Sequence, residues 1–136
     1  MKQGFVKVAS ATPRIRVADP VYNAQVICEQ AKEAAEHGAK IVVFPELCIT
    51  GYTCNDLFLQ ELLLEKAKEA LLTIAEETGQ LETLFLVGLP VDKDGRLYNV
   101  AAVLYRGRIL GMIPKKNIPM YAAVSYTHLT LPTIRL

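Results

Sequence analysis

Two hydrophobic periods alternate along the chain. Residues 4–12, GFVKVASAT, are short, β-branched and partly alternating, and predict a first strand. From Asp19 the period changes: Ala24, Ile27, Cys28, Ala31, Ala34 and Ala35 recur three and four residues apart, forming the apolar stripe of an amphipathic helix. Asp19 is placed to cap the free N–H groups at its start, and Pro20 at the first helical position gives up no hydrogen bond. Gly38 stops the helix. Residues 41–44 are continuously apolar, which predicts an interior strand covered on both faces. Pro45 lacks an N–H and ends that strand's ladder, so Glu46 falls just past the end of a buried strand.

After a loop through Tyr52, Asp56 is positioned to cap a short helical turn. Residues 59–79 then carry a second helical stripe through Leu64, Ala67, Leu71, Ile74 and Ala75, ending at Gly79. Three strand patterns follow: TLFLVGLPV at 83–91, LYNVAAVLY at 97–105 and RILGMI at 108–113. The turn signals Asp94-Gly95 and Arg106-Gly107 separate them. A helix-rich first half thus meets a meander, which predicts an α/β layered sandwich with a mixed sheet. There is no internal repeat and no low-complexity linker.

The length, 136 residues, with 51% hydrophobic positions, fits one globular domain with a core. Fifteen basic and fourteen acidic residues leave a formal charge of +1 without a Lys/Arg cluster, so no nucleic acid and no membrane surface is expected as a partner. Cys28, Cys48 and Cys54 are odd in number and lack CxxC spacing, so neither a disulfide framework nor a zinc ribbon is expected. A reducing, cytoplasmic setting fits that usage and the N-terminus MKQGFVKVAS, which has no signal-peptide stretch. His37 falls in the last turn of a helix and His128 near the C-terminus; neither reads as a metal ligand.

Two charged residues stand out by position. Glu46 and Lys115 each directly follow a proline that ends an apolar strand pattern. Taken singly, Glu46 reads as a surface loop residue and Lys115-Lys116 as a solvated turn. Taken together they fit one site, because charged groups past the C-terminal ends of strands lie at the rim where α/β folds bind ligands.

These residues also carry a resemblance. GFVKVASATP, IVVFPELCITGYTCNDLF and LYNVAAVLYRGRILGMIPKKNIPMY resemble the N-terminal glutamine amidase domain of glutamine-dependent NAD synthetases, within the nitrilase or carbon–nitrogen hydrolase superfamily. The likeness covers about residues 4–122 and implies part of an αββα sandwich with a Glu–Lys–Cys triad. On it Glu46 matches the catalytic Glu of an FPE segment. Lys115, rather than Lys116, matches the catalytic Lys, because Ile118 and Pro119 stand at the family's spacing after it. Tyr121 matches a position that contacts glutamine, and Tyr52 stands with it as a substrate-binding candidate. CNDLF after Gly51-Tyr52 favours the synthetase branch. By family the intact enzyme is a carbon–nitrogen ligase with glutamine as amido donor. Its ammonia passes to a C-terminal synthetase domain that uses ATP and Mg²⁺ to amidate deamido-NAD, and the intact enzyme is expected to be a homo-oligomer.

The chemistry explains the residue types. A free thiol with a pKa near 8.5 must lose its proton to attack an amide, and an exposed glutamate near 4.3 is about four units too weak to take it. The site therefore has to be dry. A lysine by the tetrahedral intermediate stabilises the oxyanion, a kind of contact worth about 3–4 kcal/mol. The resemblance places the nucleophilic Cys several tens of residues beyond the Lys, yet no cysteine follows Cys54. Cys28 belongs to a helix stripe, and Cys48 and Cys54 to the loop of Glu46. The expectation is a truncated, inactive glutaminase half-domain over 1–122, followed by a non-native tail, AVSYTHLTLPTIRL, at 123–136. The alternatives are a fragment of a stand-alone nitrilase-type amidase or carbamoylase, and a non-catalytic fragment.

Overall fold

The computed structural model describes residues 3–116. Calls on Tyr121, His128 and the segment 123–136 lie outside them. In chain order the elements are β1 (Val8–Ser10), α1 (Pro20–Glu36), β2 (Ile41–Val43), a 3₁₀ turn (Asn55–Leu59), α2 (Glu61–Glu77), β3 (Leu84–Lys93), β4 (Arg96–Tyr105) and β5 (Arg108–Pro114). The strands form one sheet in the order β1-β2-β3-β4-β5. β1, β2 and β3 run parallel, while β3–β4 and β4–β5 are antiparallel, which is the mixed α/β sheet expected.

The local signals explain most of this. Asp19 caps α1, its carboxylate accepting the Tyr22 N–H at 3.2 Å, with Pro20 as the first helical residue. The antiparallel strands close through two-residue turns in which both members take positive φ, Asp94 and Gly95 (53° and 76°) and Arg106 and Gly107 (50° and 81°). That geometry matches the right-handed twist of the flanking strands. Pro90 sits inside β3 without breaking it, because there β3 pairs only with β4 and β2 has already ended.

Both helices pack on one face of the sheet. Ile27 and Ala31 of α1, Ala67 and Ile74 of α2, and Val42, Val87 and Ala102 of the sheet are all fully buried in one cluster. The opposite face is open: Val8, Val43 and Ile113 are 63%, 44% and 45% exposed. This corrects the expectation that residues 41–44 are covered on both sides. Their continuous apolar pattern is that of a strand with two covered faces, and the described residues supply the cover for one.

Three smaller expectations change. The first strand is three residues rather than nine, since it is an edge paired with β2 alone over Val8, Ala9 and Ser10. Cys54, not Asp56, occupies the cap of the 3₁₀ turn, and Asp56 lies in its first turn. In α2 the stripe turns on Leu63 and Ala70 as well as Ala67, Leu71, Ile74 and Ala75, leaving Leu64 half-buried. Among the described residues, no helix is long and apolar enough to cross a membrane.

Candidate active site

The backbone leaves β2 through Phe44, whose N–H still bonds to the Leu86 carbonyl at 2.9 Å, and the chain then folds back over β3. Leu47 turns it, with φ of 54° in the left-handed region that a leucine rarely adopts. The conformation holds because the Leu47 side chain is buried with Cys54, Phe58, Leu63 and Leu97. Asn23 of α1 anchors the next stretch. Fully buried, its side chain donates to the Ile49 carbonyl at 2.8 Å and exchanges two bonds with the Arg16 backbone, at 2.7 and 2.8 Å.

The loop lies directly on Gly88 of β3. A Cβ there would meet Leu47 N at 2.5 Å, the Pro45 carbonyl oxygen at 2.8 Å and the Glu46 carbonyl carbon at 3.0 Å. Only a glycine lets the two backbones approach this closely. Ile49 N–H bonds to the Gly88 carbonyl at 3.2 Å, closing the contact.

Thus placed, the Glu46 carboxylate points over the open end of the sheet. Lys115 arrives from β5, where the ladder runs one step past Pro114: the Lys115 N–H donates to the Asn99 carbonyl at 2.9 Å. The Lys115 Nζ donates to Glu46 Oε1 at 2.9 Å, joining residues 69 positions apart. The Asn99 side-chain amide donates to the same oxygen. Glu46, Asn99 and Lys115 line one groove of about 400 Å³ floored by Gly88, Val100 and Ala101. Sequence reasoning missed Asn99 and Gly88. The available signal was a lone polar residue inside LYNVAAVLY, since a buried amide there needs a partner.

Tyr52 goes elsewhere: half-buried, it packs against the Leu47–Phe58 cluster and does not line the groove. The dryness that the chemistry calls for is also not supplied by the described residues, which leave the Glu46 and Lys115 side chains 34% and 37% exposed. His37 makes a backbone contact at the end of α1, its Nδ1 lying 2.8 Å from the Glu33 carbonyl oxygen. Among the described residues, no three His, Cys, Asp or Glu side chains come together as a metal site.

The three thiols are poor nucleophiles. Burial pushes Cys48 up to about 12, and its Sγ–H is directed to the Gly88 carbonyl at 3.7 Å. Burial, with a smaller contribution from Glu77, pushes Cys28 up to about 11, and burial raises Cys54 as well. For Cys48 the folded pKa lies above the ordinary 9.0, so its contribution to stability is complete below about pH 9 and is lost as pH rises toward 12. The stability difference between wild type and Cys48→Ala, read from urea midpoints, is therefore expected to shrink between neutral pH and about pH 10. A difference that stays constant would show that Cys48 is not shielded.

A paired carboxylate and ammonium thus face one groove at the rim of a mixed sheet. Residues 7–132 match the carbon-nitrogen hydrolase family, to which the chain belongs. The match runs into the segment 123–136 that the sequence reading set apart. The glutamine-dependent NAD(+) synthetase of Mycobacterium tuberculosis is 38% identical over 120 residues, which are 88% of this chain and 18% of that protein. The synthetase of the same name from Thermotoga maritima is 34% identical over 121 residues, 89% of this chain and 20% of the relative. The chain spans about a fifth of the length of the curated relatives it matches. Among solved structures, a glutamine-dependent NAD(+) synthetase from Cytophaga hutchinsonii superposes with a TM-score of 0.79 and 30% identity, over 84% of this chain and 19% of that one. An amidase from Nesterenkonia sp. shares the fold, with a TM-score of 0.80 at 21% identity over 96% of this chain and 50% of the amidase.

Proposed function

We propose that this chain is part of the glutamine amidase domain of a glutamine-dependent NAD synthetase. In the whole enzyme that domain hydrolyses glutamine, and the ammonia goes to a separate domain where ATP and Mg²⁺ drive amidation of deamido-NAD. The observation that carries the reading is the Glu46–Lys115 pair at 2.9 Å, held at the groove by two strands from opposite halves of the sheet. The synthetase relatives support the synthetase branch over a plain amidase, because the amidase likeness extends to fold alone.

The chemistry divides between these residues and a cysteine from the rest of the domain. Glu46 takes the thiol proton, the thiolate attacks the amide carbon of glutamine, and the protonated Glu46 returns the proton to the departing ammonia. Lys115 faces the oxyanion of each tetrahedral intermediate. Water, deprotonated by Glu46, then opens the thioester to release glutamate and restore the thiol.

The test joins residues 1–122 to the remainder of the Mycobacterium tuberculosis amidase domain and follows ammonia release from glutamine. Turnover is expected, and Glu46→Gln is expected to lower it by about 10³-fold, within the usual range for a general base. Preference for simple aliphatic amides over glutamine would instead favour a stand-alone amidase. No ammonia from any amide would overturn the reading.

A further inference from the structure

We infer that Asn99 is a positioning residue for Glu46: its amide fixes Oε1 beside Lys115 and leaves Oε2 as the oxygen that accepts the proton. The inference rests on the proposal that Glu46 is the general base.

Asn99 is 2% exposed in the middle of β4, an otherwise apolar strand. A buried amide is stable only where its donors and acceptors find partners, and backbone groups are the usual ones. Asn23 follows that pattern, since all three of its bonds go to backbone atoms. Asn99 does not: its side-chain nitrogen is directed at the Glu46 carboxylate, 53 residues away in sequence. Its main chain holds the other partner, because its carbonyl accepts the Lys115 N–H at 2.9 Å. One residue of an inner strand thereby ties down both charged groups, the carboxylate by its side chain and the lysine by its backbone.

Two donors therefore converge on one oxygen, Asn99 Nδ2 and Lys115 Nζ on Oε1. Among the described residues, Oε2 receives no donor. A carboxylate held this way cannot spin about its last bond without breaking both contacts, so the oxygen presented to the groove stays the same one. Lysine alone would not achieve this, because its long flexible stem and rotatable ammonium follow the carboxylate as it turns. The short, rigid asparagine on β4 sets the angle. Fixing the reacting atom in this way is a matter of orientation, and misplacing it by about 1 Å costs on the order of 10²-fold in rate.

The experiment has two arms. On the ¹⁵N-labelled full-length chain, one Asn99 side-chain amide proton is expected downfield of the other Asn and Gln amides, returning to their range in Glu46→Gln. In the completed domain, Asn99→Leu is expected to lower kcat by about 10²-fold with KM for glutamine unchanged. An amide resonance that is unshifted, or indifferent to Glu46→Gln, overturns the inference. So does a folded Asn99→Leu domain with full kcat, or one whose loss lies in KM. If the completed wild-type domain releases no ammonia while the Glu46-dependent resonance is present, the geometry stands and the hydrolase reading is what has failed. Because Glu46 is a surface side chain, Glu46→Gln folds even if Asn99→Leu does not, so the resonance decides in either case.

Discussion

Incubated with glutamine, the 136-residue chain is expected to release no ammonia above background. On the proposed reading it holds the glutamate and the lysine that amide hydrolysis through a thioester needs but no cysteine placed to attack, and members of such a set act as a unit. Losing the nucleophile alone costs on the order of 10⁶-fold. None of the chain's own thiols can substitute. Cys28 is buried between the helices and the sheet, and Cys48, beneath the loop of Glu46, is pushed up to about 12 by burial. Cys54 is also buried, and its Sγ–H is directed to the Thr50 carbonyl at 3.2 Å. An electrophilic glutamine analogue is accordingly expected to leave Cys48 and Cys54 unlabelled, as read by intact mass. Turnover at the rate of the completed domain would refute this, as would stoichiometric labelling of either cysteine that disappears in Glu46→Gln.

Gly88→Ala is expected to be the most damaging single-atom addition near the site. The new methyl carbon would stand 2.5 Å from the Leu47 nitrogen and 2.8 Å from the Pro45 carbonyl oxygen, and both are backbone atoms. No side-chain rotation can relieve that, so either the loop or β3 must shift. β3 is paired with β4 from Phe85 to Lys93, which leaves the loop to move. The expected cost is about 3 kcal/mol, the upper end for overpacking, measured as a lower urea midpoint at unchanged slope. The same displacement carries Glu46 away from Asn99, so the Asn99 amide resonance should lose its dependence on Glu46. An alanine variant with wild-type stability would mean that the loop does not rest on β3 as described.

Where the chain's structure is governed by neighbours in sequence, it was legible. The cap at Asp19, the stripe of α1, the two glycine turns and the placement of Glu46 past a strand all depend on contacts within a few residues. Lys115 was legible for the same reason, since a proline marks the strand before it. The supports of the site were not. Gly88 reads as a weak point in a strand until the loop of residues 44–49 is seen lying on it, and Asn99 reads as an oddity until its partner arrives from 53 positions away. Tyr52 shows that nearness to Glu46 in sequence does not fix where a side chain packs, since it lies against the cluster of Leu47, Cys54 and Phe58. Cover over a strand was equally out of reach, because an apolar run such as residues 41–44 reports that burial is wanted, not which layer provides it.

The 69 positions between Glu46 and Lys115 have a kinetic meaning. Their side chains meet only after β3 has joined β2, β4 has turned back on β3 and β5 has turned back on β4. The two hairpins are short-range and quick to close, whereas the parallel β2–β3 pairing spans α2 and is the slow, long-loop step. Partly folded forms with either step undone hold the carboxylate and the ammonium apart. The ion pair is therefore expected to form only once β2 to β5 are joined, so its appearance would time the completion of that part of the sheet rather than of any one segment.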